Sequence, residues 1–314
     1  MGPRLVVGCD GPVDPLPVIA CRIERRLNWP VGGALLLLPP GVAVPARGAA
    51  VRCDASGAHA VQRVFSGYVH AVSRGPTGTL LDCQEPARAL AGGHRDASWE
   101  ATTADAVVRE LAAAADVPVG DLAPGAALPQ FTMLRERSPL AHCLQLAELS
   151  GCDCWTDADG RLQMRPPLPA PGALVLDAAR ATARLAAEQA GTPPAARVVG
   201  AGALGSAGPG TERWPVREPP AAGPAEAACR LADAAITGLA DAERAQQGRS
   251  QRLAESAAHL DLTLAEVLAL DLHQVVTVAG LAGVNGPARV GALGLRSDGV
   301  HGLRLDLRLW RLGP

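Results

Sequence analysis

His142, Cys143, Cys152 and Cys154 come nearest to a reactive centre in type and spacing, because thiolates and imidazoles are the ligands of structural zinc. Residues 152 and 154 would point to the same side of a strand. Structural zinc sites usually carry a Cys-x-x-Cys knuckle, however, and Cys143 falls on the apolar face of its helix. A Cys-x-Cys pair beside Trp155 is accounted for by core packing. Asp153, Asp157 and Asp159 could form a calcium loop or paired carboxylates for cleaving a glycan. The later ligands of a calcium loop are missing, and the three acids read as part of a hairpin turn. Gly200-Ala201-Gly202-Ala203-Leu204-Gly205 matches the Gly-x-Gly-x-x-Gly spacing of a dinucleotide site. No amphipathic helix follows it, and Trp214–Gly223 stands where the ribose-binding acid belongs. The seven histidines (59, 70, 94, 142, 259, 273, 301) fall mostly beside strands or in loops. Neither His-Glu-x-x-His nor Gly-x-Ser-x-Gly occurs, which leaves only a triad assembled from distant residues as an open alternative. The residues nominate no catalytic group, no metal and no cofactor.

The elements that would carry these side chains are legible in order. Thr102 and Thr103 offer an N-cap, Asp105 falls in the first turn, and Ala106, Val107, Leu111 and Ala114 form an apolar stripe, which predicts a helix over 103–115. Gln130–Met133 is extended. Ser138-Pro139 caps and opens a second helix, which buries Leu140, Cys143, Leu144, Ala147 and Leu149 and ends at Gly151. Cys152–Thr156 alternates as a strand, Asp157–Gly160 is a turn, and Arg161–Met164 returns.

Around this block the chain reads as β structure, giving an α+β, mainly β fold. Residues 1–96 hold strands at Arg4–Cys9, Val18–Glu24, Ala34–Leu38, Ala50–Cys53, Ala60–Val72 and Gly78–Cys83, and a small barrel would close their edges. Residues 97–167 form the α+β helix-helix-hairpin module, after which the proline-rich run from Arg165 to Gly172 marks a boundary. Residues 168–314 read as a second barrel, with strands at Ala173–Leu176, Ala195–Gly200, Leu260–Leu264, Gln274–Val278, Ala288–Arg296 and Leu303–Trp310. It carries an insertion at about 202–257: a Gly/Pro/Ala-rich loop over Gly202–Gly223, then a helical stretch over Glu226–Arg244. Leu303, Leu305, Leu307 and Leu309 alternate with Arg304, Asp306, Arg308 and Trp310, so one face is buried and the other charged.

Composition narrows the function. With 314 residues, 48% hydrophobic, the chain can build two or three cores, but only 3% are aromatic, so leucine and valine must fill them. Every one of the 29 basic residues is arginine, against 31 acids and a net charge of −2, which argues against a general grip on nucleic acid. No apolar run approaches the ~20 residues that cross a bilayer, and Leu35–Leu38 is closed by Pro39-Pro40-Gly41. The N-terminus lacks a secretion signal, and eight scattered cysteines suit reduced thiols. The expected location is therefore cytoplasmic until assembly.

The succession of motifs resembles the tail and baseplate hub proteins of bacteriophages and contractile injection systems: late-control D type hubs and the hub part of valine-glycine-repeat spike proteins. Matching stretches are Val64-Phe65-Ser66-Gly67-Tyr68-Val69, Asp82–Ala87, Gln130, Leu144–Gly151, Asp159-Gly160-Arg161-Leu162, Val275–Val278 and Arg304–Trp310. The likeness is weakest over 168–260, and His273-Gln274 stands where such hubs often have Gly-Asp. The resemblance implies two tail-tube-like barrels in one chain, and a non-enzymatic homotrimer that adapts a six-fold tail tube to a three-fold spike or tip. Three copies of two similar barrels present six surfaces. The tail tube protein, the spike or tip protein and the tape-measure protein are the partners it implies, with no sequence-specific nucleic acid and no membrane. The particle is its final location. Candidate interface residues are Phe65, Tyr68, Trp214, Arg304, Asp306, Arg308 and Trp310, each of which has a core or solvated-face reading beside it. The alternatives are a tail-associated peptidoglycan-degrading enzyme and an assembly chaperone left out of the particle.

Overall fold

The computed structural model describes residues 4–10, 14–56, 61–167, 174–188, 196–200, 229–233, 235–236, 239–281, 285–297 and 302–312. Six strands open the chain: β1 (Arg4–Cys9), β2 (Ala20–Arg26), β3 (Trp29–Leu38), β4 (Ala50–Ser56), β5 (Val61–Gly75) and β6 (Gly78–Gln84). An α+β segment follows, made of β7 (Ala97–Thr103), α1 (Ala104–Ala114), β8 (Val119–Leu122), β9 (Ala127–Met133), α2 (Pro139–Leu149), β10 (Asp153–Thr156) and β11 (Leu162–Arg165). The chain ends with β12 (Val175–Asp177), β13 (Ala183–Glu188), β14 (Ala196–Gly200), β15 (Cys229–Asp233), α3 (Leu239–Ala257), β16 (Ala258–Leu264), β17 (Val275–Ala279), β18 (Gly286–Ser297) and β19 (Leu303–Arg311).

Twelve strands form one sheet in two blocks. The first runs β1-β4-β5-β6-β3-β2, the second β12-β17-β18-β19-β16-β13, and β2 pairs with β18 to join them. Numbered by chain order within each block, both read 1-4-5-6-3-2. The likeness extends to register. β5 carries a bulge at His70, between pairs Val69↔Cys83 and Ala71↔Asp82; β18 carries one at Gly291, between Val290↔Leu309 and Ala292↔Arg308. Just outside each bulge, Gly48 N–H donates to Val69 O and Val69 N–H to Ala49 O. His273 N–H donates to Val290 O, and Val290 N–H to Gln274 O, in the same pattern. Gly48 and His273 both have positive φ, +87° and +70°. His273 thus adopts the left-handed conformation that its counterpart glycine adopts without cost, and the turn before β17 is kept despite His273-Gln274. The blocks differ in the direction of one strand: β1 is antiparallel to β4, whereas β12 is parallel to β17.

Alternation in these strands follows from the two environments of the sheet. Cys21, Ile23, Leu36, Leu38, Leu81, Cys83, Leu262, Leu264, Leu307 and Leu309 are buried in one core shared by both blocks, while polar residues occupy the other face. A second core lies between α1, α2, β9, the β10–β11 hairpin and the first half of α3, through Ala242 and Ala245.

Ser138 caps α2, accepting a hydrogen bond from Ala141 N–H at 3.2 Å, and Gly151 (φ +66°) ends it. Gly160 takes the positive φ expected of the hairpin turn. Three expectations are corrected. Residues 229–233 of the anticipated helix form a strand, and the helix runs from Leu239 to Ala257. Ala196–Gly200 is not in the main sheet; it pairs in parallel with β15. Its place in the second block is taken by β13, an alanine-rich segment made a strand by pairing with β16 rather than by its own propensity. The Gly202–Gly223 loop lies outside the described residues.

Candidate assembly surface

The polar face of the sheet is a graded array rather than a scatter of charges. Across β2, β18 and β19, Arg22, Arg296 and Arg304 lie in register as one basic row. The next row is Glu24, Gly294, Asp306 and Thr263, and the third is Arg26, Ala292, Arg308 and Asp261. An acidic row is flanked by two arginine-bearing rows, and the pattern crosses the β2–β18 junction unbroken. Arg308 grips Asp261 with two 2.8 Å hydrogen bonds, which hold that carboxyl below the usual carboxylate range. Arg296 reaches Asp306 at 2.9 Å, and Thr263 Oγ1 donates to the same residue at 2.6 Å. A concavity with room for about 790 Å³ opens over these strands.

Two buried arginines, Arg25 on the core side of the sheet and Arg289 on the side of Trp310, tie the blocks to the hairpin. Arg25 on β2 is 1% exposed; its guanidinium donates to Glu85 at 2.9 Å, to Asp271 at 2.8 Å and to the Thr156 carbonyl at 2.6 Å. Glu85 and Asp271 come from opposite blocks and Thr156 from the hairpin, so one side chain touches all three parts. Burial pushes Glu85 up to about 7, against the pull of Arg25 and of Gly32 N–H, which donates to it at 2.6 Å. Arg289 on β18 is fully buried and pairs with Asp153 of β10 and Glu255 of α3. Its guanidinium also lies 5.3 Å from the Trp310 ring centroid. His273 stacks on Trp155 with centroids 4.5 Å apart, and burial holds its pKa down to about 4. Asn28, in the β2–β3 turn, donates from Nδ2 to Asp153 at 2.8 Å and pairs through its backbone with Cys154.

The nominated interface residues fall in four environments. Arg304, Asp306 and Arg308 lie on the polar face described above. Tyr68 is 44% exposed on β5. Phe65 is corrected: it is completely buried in the shared core because its strand turns it toward Val51 and Cys53, leaving nothing for a partner to touch. Trp310 is half-buried, lying over Gly291, where a Cβ would come within 2.4 Å of the ring. Trp214 lies outside the described residues.

The thiols of Cys143 and Cys152 are pushed up by burial to about 12 and about 11, and burial raises that of Cys154 well above its ordinary value, as suits small apolar groups in the second core. Among the described residues, no group of three or more His, Cys, Asp or Glu side chains is arranged to hold a metal ion. Asp157 Oδ1 accepts from the N–H groups of Asp159 and Arg161, which fixes the hairpin turn. Sequence reasoning missed Arg25, Glu85, Asp271, Arg289 and Glu255. The one available signal was the placement of Arg25 at an apolar position of the otherwise alternating β2.

Comparison with solved structures returns one consistent group. A 43 kDa tail protein of the MuSo2 prophage of Shewanella oneidensis aligns over 98% of both chains with a TM-score of 0.72 and 14% identity. A tail protein of Neisseria meningitidis aligns over 99% of this chain and 97% of its own, with a TM-score of 0.75 and 13% identity. This chain has the phage tail-protein fold. A component of the type VI secretion system from Escherichia coli, described as structurally similar to the T4 tail proteins gp27 and gp5, aligns over 98% of this chain and 77% of its own (TM-score 0.65, 10% identity). No protein-family model and no curated protein matches the sequence. Among the described residues, no helix of this tail-protein fold is long and apolar enough to cross a membrane.

Proposed function

We propose that this chain is a non-enzymatic structural hub of a phage tail or a related contractile injection particle. It would act as a homotrimer that joins a six-fold tail tube to a three-fold spike or tip, with the tape-measure protein as a further neighbour. It would be made in the bacterial cytoplasm and then built into the particle. The observation that carries this reading is the internal repeat: two blocks with one strand order, one bulge position and one pattern of backbone hydrogen bonds around it. A chain with two equivalent blocks lets a trimer offer six similar surfaces, which a single-block chain cannot do with three copies. The fold shared with tail proteins and a secretion-system component supports the same setting.

The candidate carboxylates favour a structural role over glycan cleavage. Asp153 is committed to Arg289, and Asp157 to two backbone N–H groups. Light scattering on the purified chain tests the proposal: a mass near three times 32.1 kDa is expected. A chain that stays monomeric, or that releases fragments from peptidoglycan, would contradict it.

A further inference from the structure

Among the described residues, the repeat leaves half of one edge of β5 uncovered and leaves β13 paired on one side only, and the two match. In the second block, the last half of β18 is covered by β2 in the register Leu293↔Arg25, Gly294↔Glu24, Leu295↔Ile23 and Arg296↔Arg22. The equivalent half of β5, found by aligning the bulges, runs from Ala71 to Gly75. The β4 ladder stops at Tyr68, and among the described residues no strand pairs with that edge beyond it. The equivalent of β2 in the second block is β13. Both blocks agree on this down to the hydrogen bond entering the strand: Ile19 N–H donates to Leu37 O, and Thr182 N–H to Thr263 O. β13 pairs with β16 on one side, and among the described residues with nothing on the other. An open β edge and an open β strand in one soluble chain are groups that natural sheets keep covered.

We infer that the free edge of β13 in one copy docks on the open half of β5 in a second copy, in the register in which β2 docks on β18 within the chain. This deepens the homotrimeric hub reading and rests on it. Carrying the register across places Arg74 opposite Ala186 and Gly75 opposite Leu185. The contact is head-to-tail, since each copy gives β13 to one neighbour and β5 to the other, so successive copies close into a ring or continue as a fibre.

Side chains at the two edges fit this pairing. Leu185 is 61% exposed, unusually open for a leucine on a strand. In the docked register it would cross Gly75 and Gly78, which pair with each other across β5 and β6, and lie beside Leu80, itself 39% exposed. Gly75, where a Cβ would meet nothing nearer than Gly78 O at 3.9 Å, leaves room for the leucine, and exposed apolar groups on both edges would be removed from water together. The corresponding row inside the chain is Arg22, Arg296 and Arg304, so the seam between copies would be apolar where the internal one is basic.

Two substitutions test the register in the full-length chain. Gly75→Cys combined with Leu185→Cys, treated with a short bis-maleimide, should give a ladder of covalent dimers and trimers. Either single substitution, in a Cys229→Ser background, should give none, because the other seven native cysteines are buried. Ala186→Arg, which sets two like charges opposite each other at Arg74, should weaken association at least tenfold; Ala186→Glu should not, and Arg74→Glu should rescue Ala186→Arg. A stable trimer with no linkage from the paired cysteines, or with equal sensitivity to Arg and Glu at position 186, would overturn the inference and leave the hub proposal standing. A chain that stays monomeric with no linked species would overturn both.

Discussion

Arg25 and Arg289 show how a charge survives in a core of leucine and valine. Arg25 meets the cost of leaving water with hydrogen bonds to Glu85, Asp271 and the Thr156 carbonyl, whereas Arg289 pairs through its two terminal nitrogens with Asp153 and Glu255 and leaves its buried Nε without a hydrogen-bond partner among the described residues. Arg25→Met should cost about 3–5 kcal/mol in urea unfolding, because it strips Glu85 and Asp271 of their shared cation. Arg308→Ala breaks an exposed pair and should stay within about 1 kcal/mol. His273 makes one contribution to the pH dependence, opposed by Glu85, whose carboxyl, raised to about 7, adds stability as the pH falls from about 7 toward 4.5. The His273 imidazole titrates near 4 when folded and 6.5 when unfolded, so the unfolded chain takes up a proton first as the solution is acidified. Stability from this residue is complete above pH 6.5 and is lost between 6.5 and 4, a change of order 3 kcal/mol. His273→Asn, which keeps a side chain tolerant of positive φ, should flatten the acid limb of a plot of melting temperature against pH; an unchanged slope would count against the assignment. At this scale the sequence was least informative. Asp153 reads as a hairpin acid because its partner Arg289 lies 136 residues away and no local pattern joins them.

Elements were more legible where the signal is local. The Ser138-Pro139 start of α2, its Gly151 stop and the Asp157–Gly160 turn follow from capping and φ requirements within four residues. β13 and the true bounds of α3 were not, since Ala-rich segments take whichever structure their neighbours impose. The crossing of α3 over α2 gives a sharp test, because helix propensity and packing predict opposite signs. A Cβ at Gly248 would come within 2.6 Å of Gly151 Cα. Replacing an interior helix glycine with alanine ordinarily stabilises by about 1 kcal/mol. Here Gly248→Ala should instead destabilise by roughly 1–3 kcal/mol, read as a lowered urea midpoint with the slope unchanged.

On the scale of the whole molecule, the chain is one fold used twice and joined through a strand pair. Most strands of the two blocks and the α+β insert were readable from alternation and turns, but β13 and the repeat itself were not. Equivalent positions such as Leu36 and Leu262, or Cys83 and Leu309, share only an apolar, inward character, which many sequences satisfy. What identifies the blocks as equivalent is register: the same bulge, the same bonds beside it and the same positive φ at Gly48 and His273. Electron microscopy of the purified chain tests the central claim most directly. Class averages should show a closed ring of six similar lobes obeying only three-fold symmetry, alternate lobes differing where the α+β segment attaches. Single two-lobed particles at every concentration, or a ring whose lobes do not alternate, would contradict it.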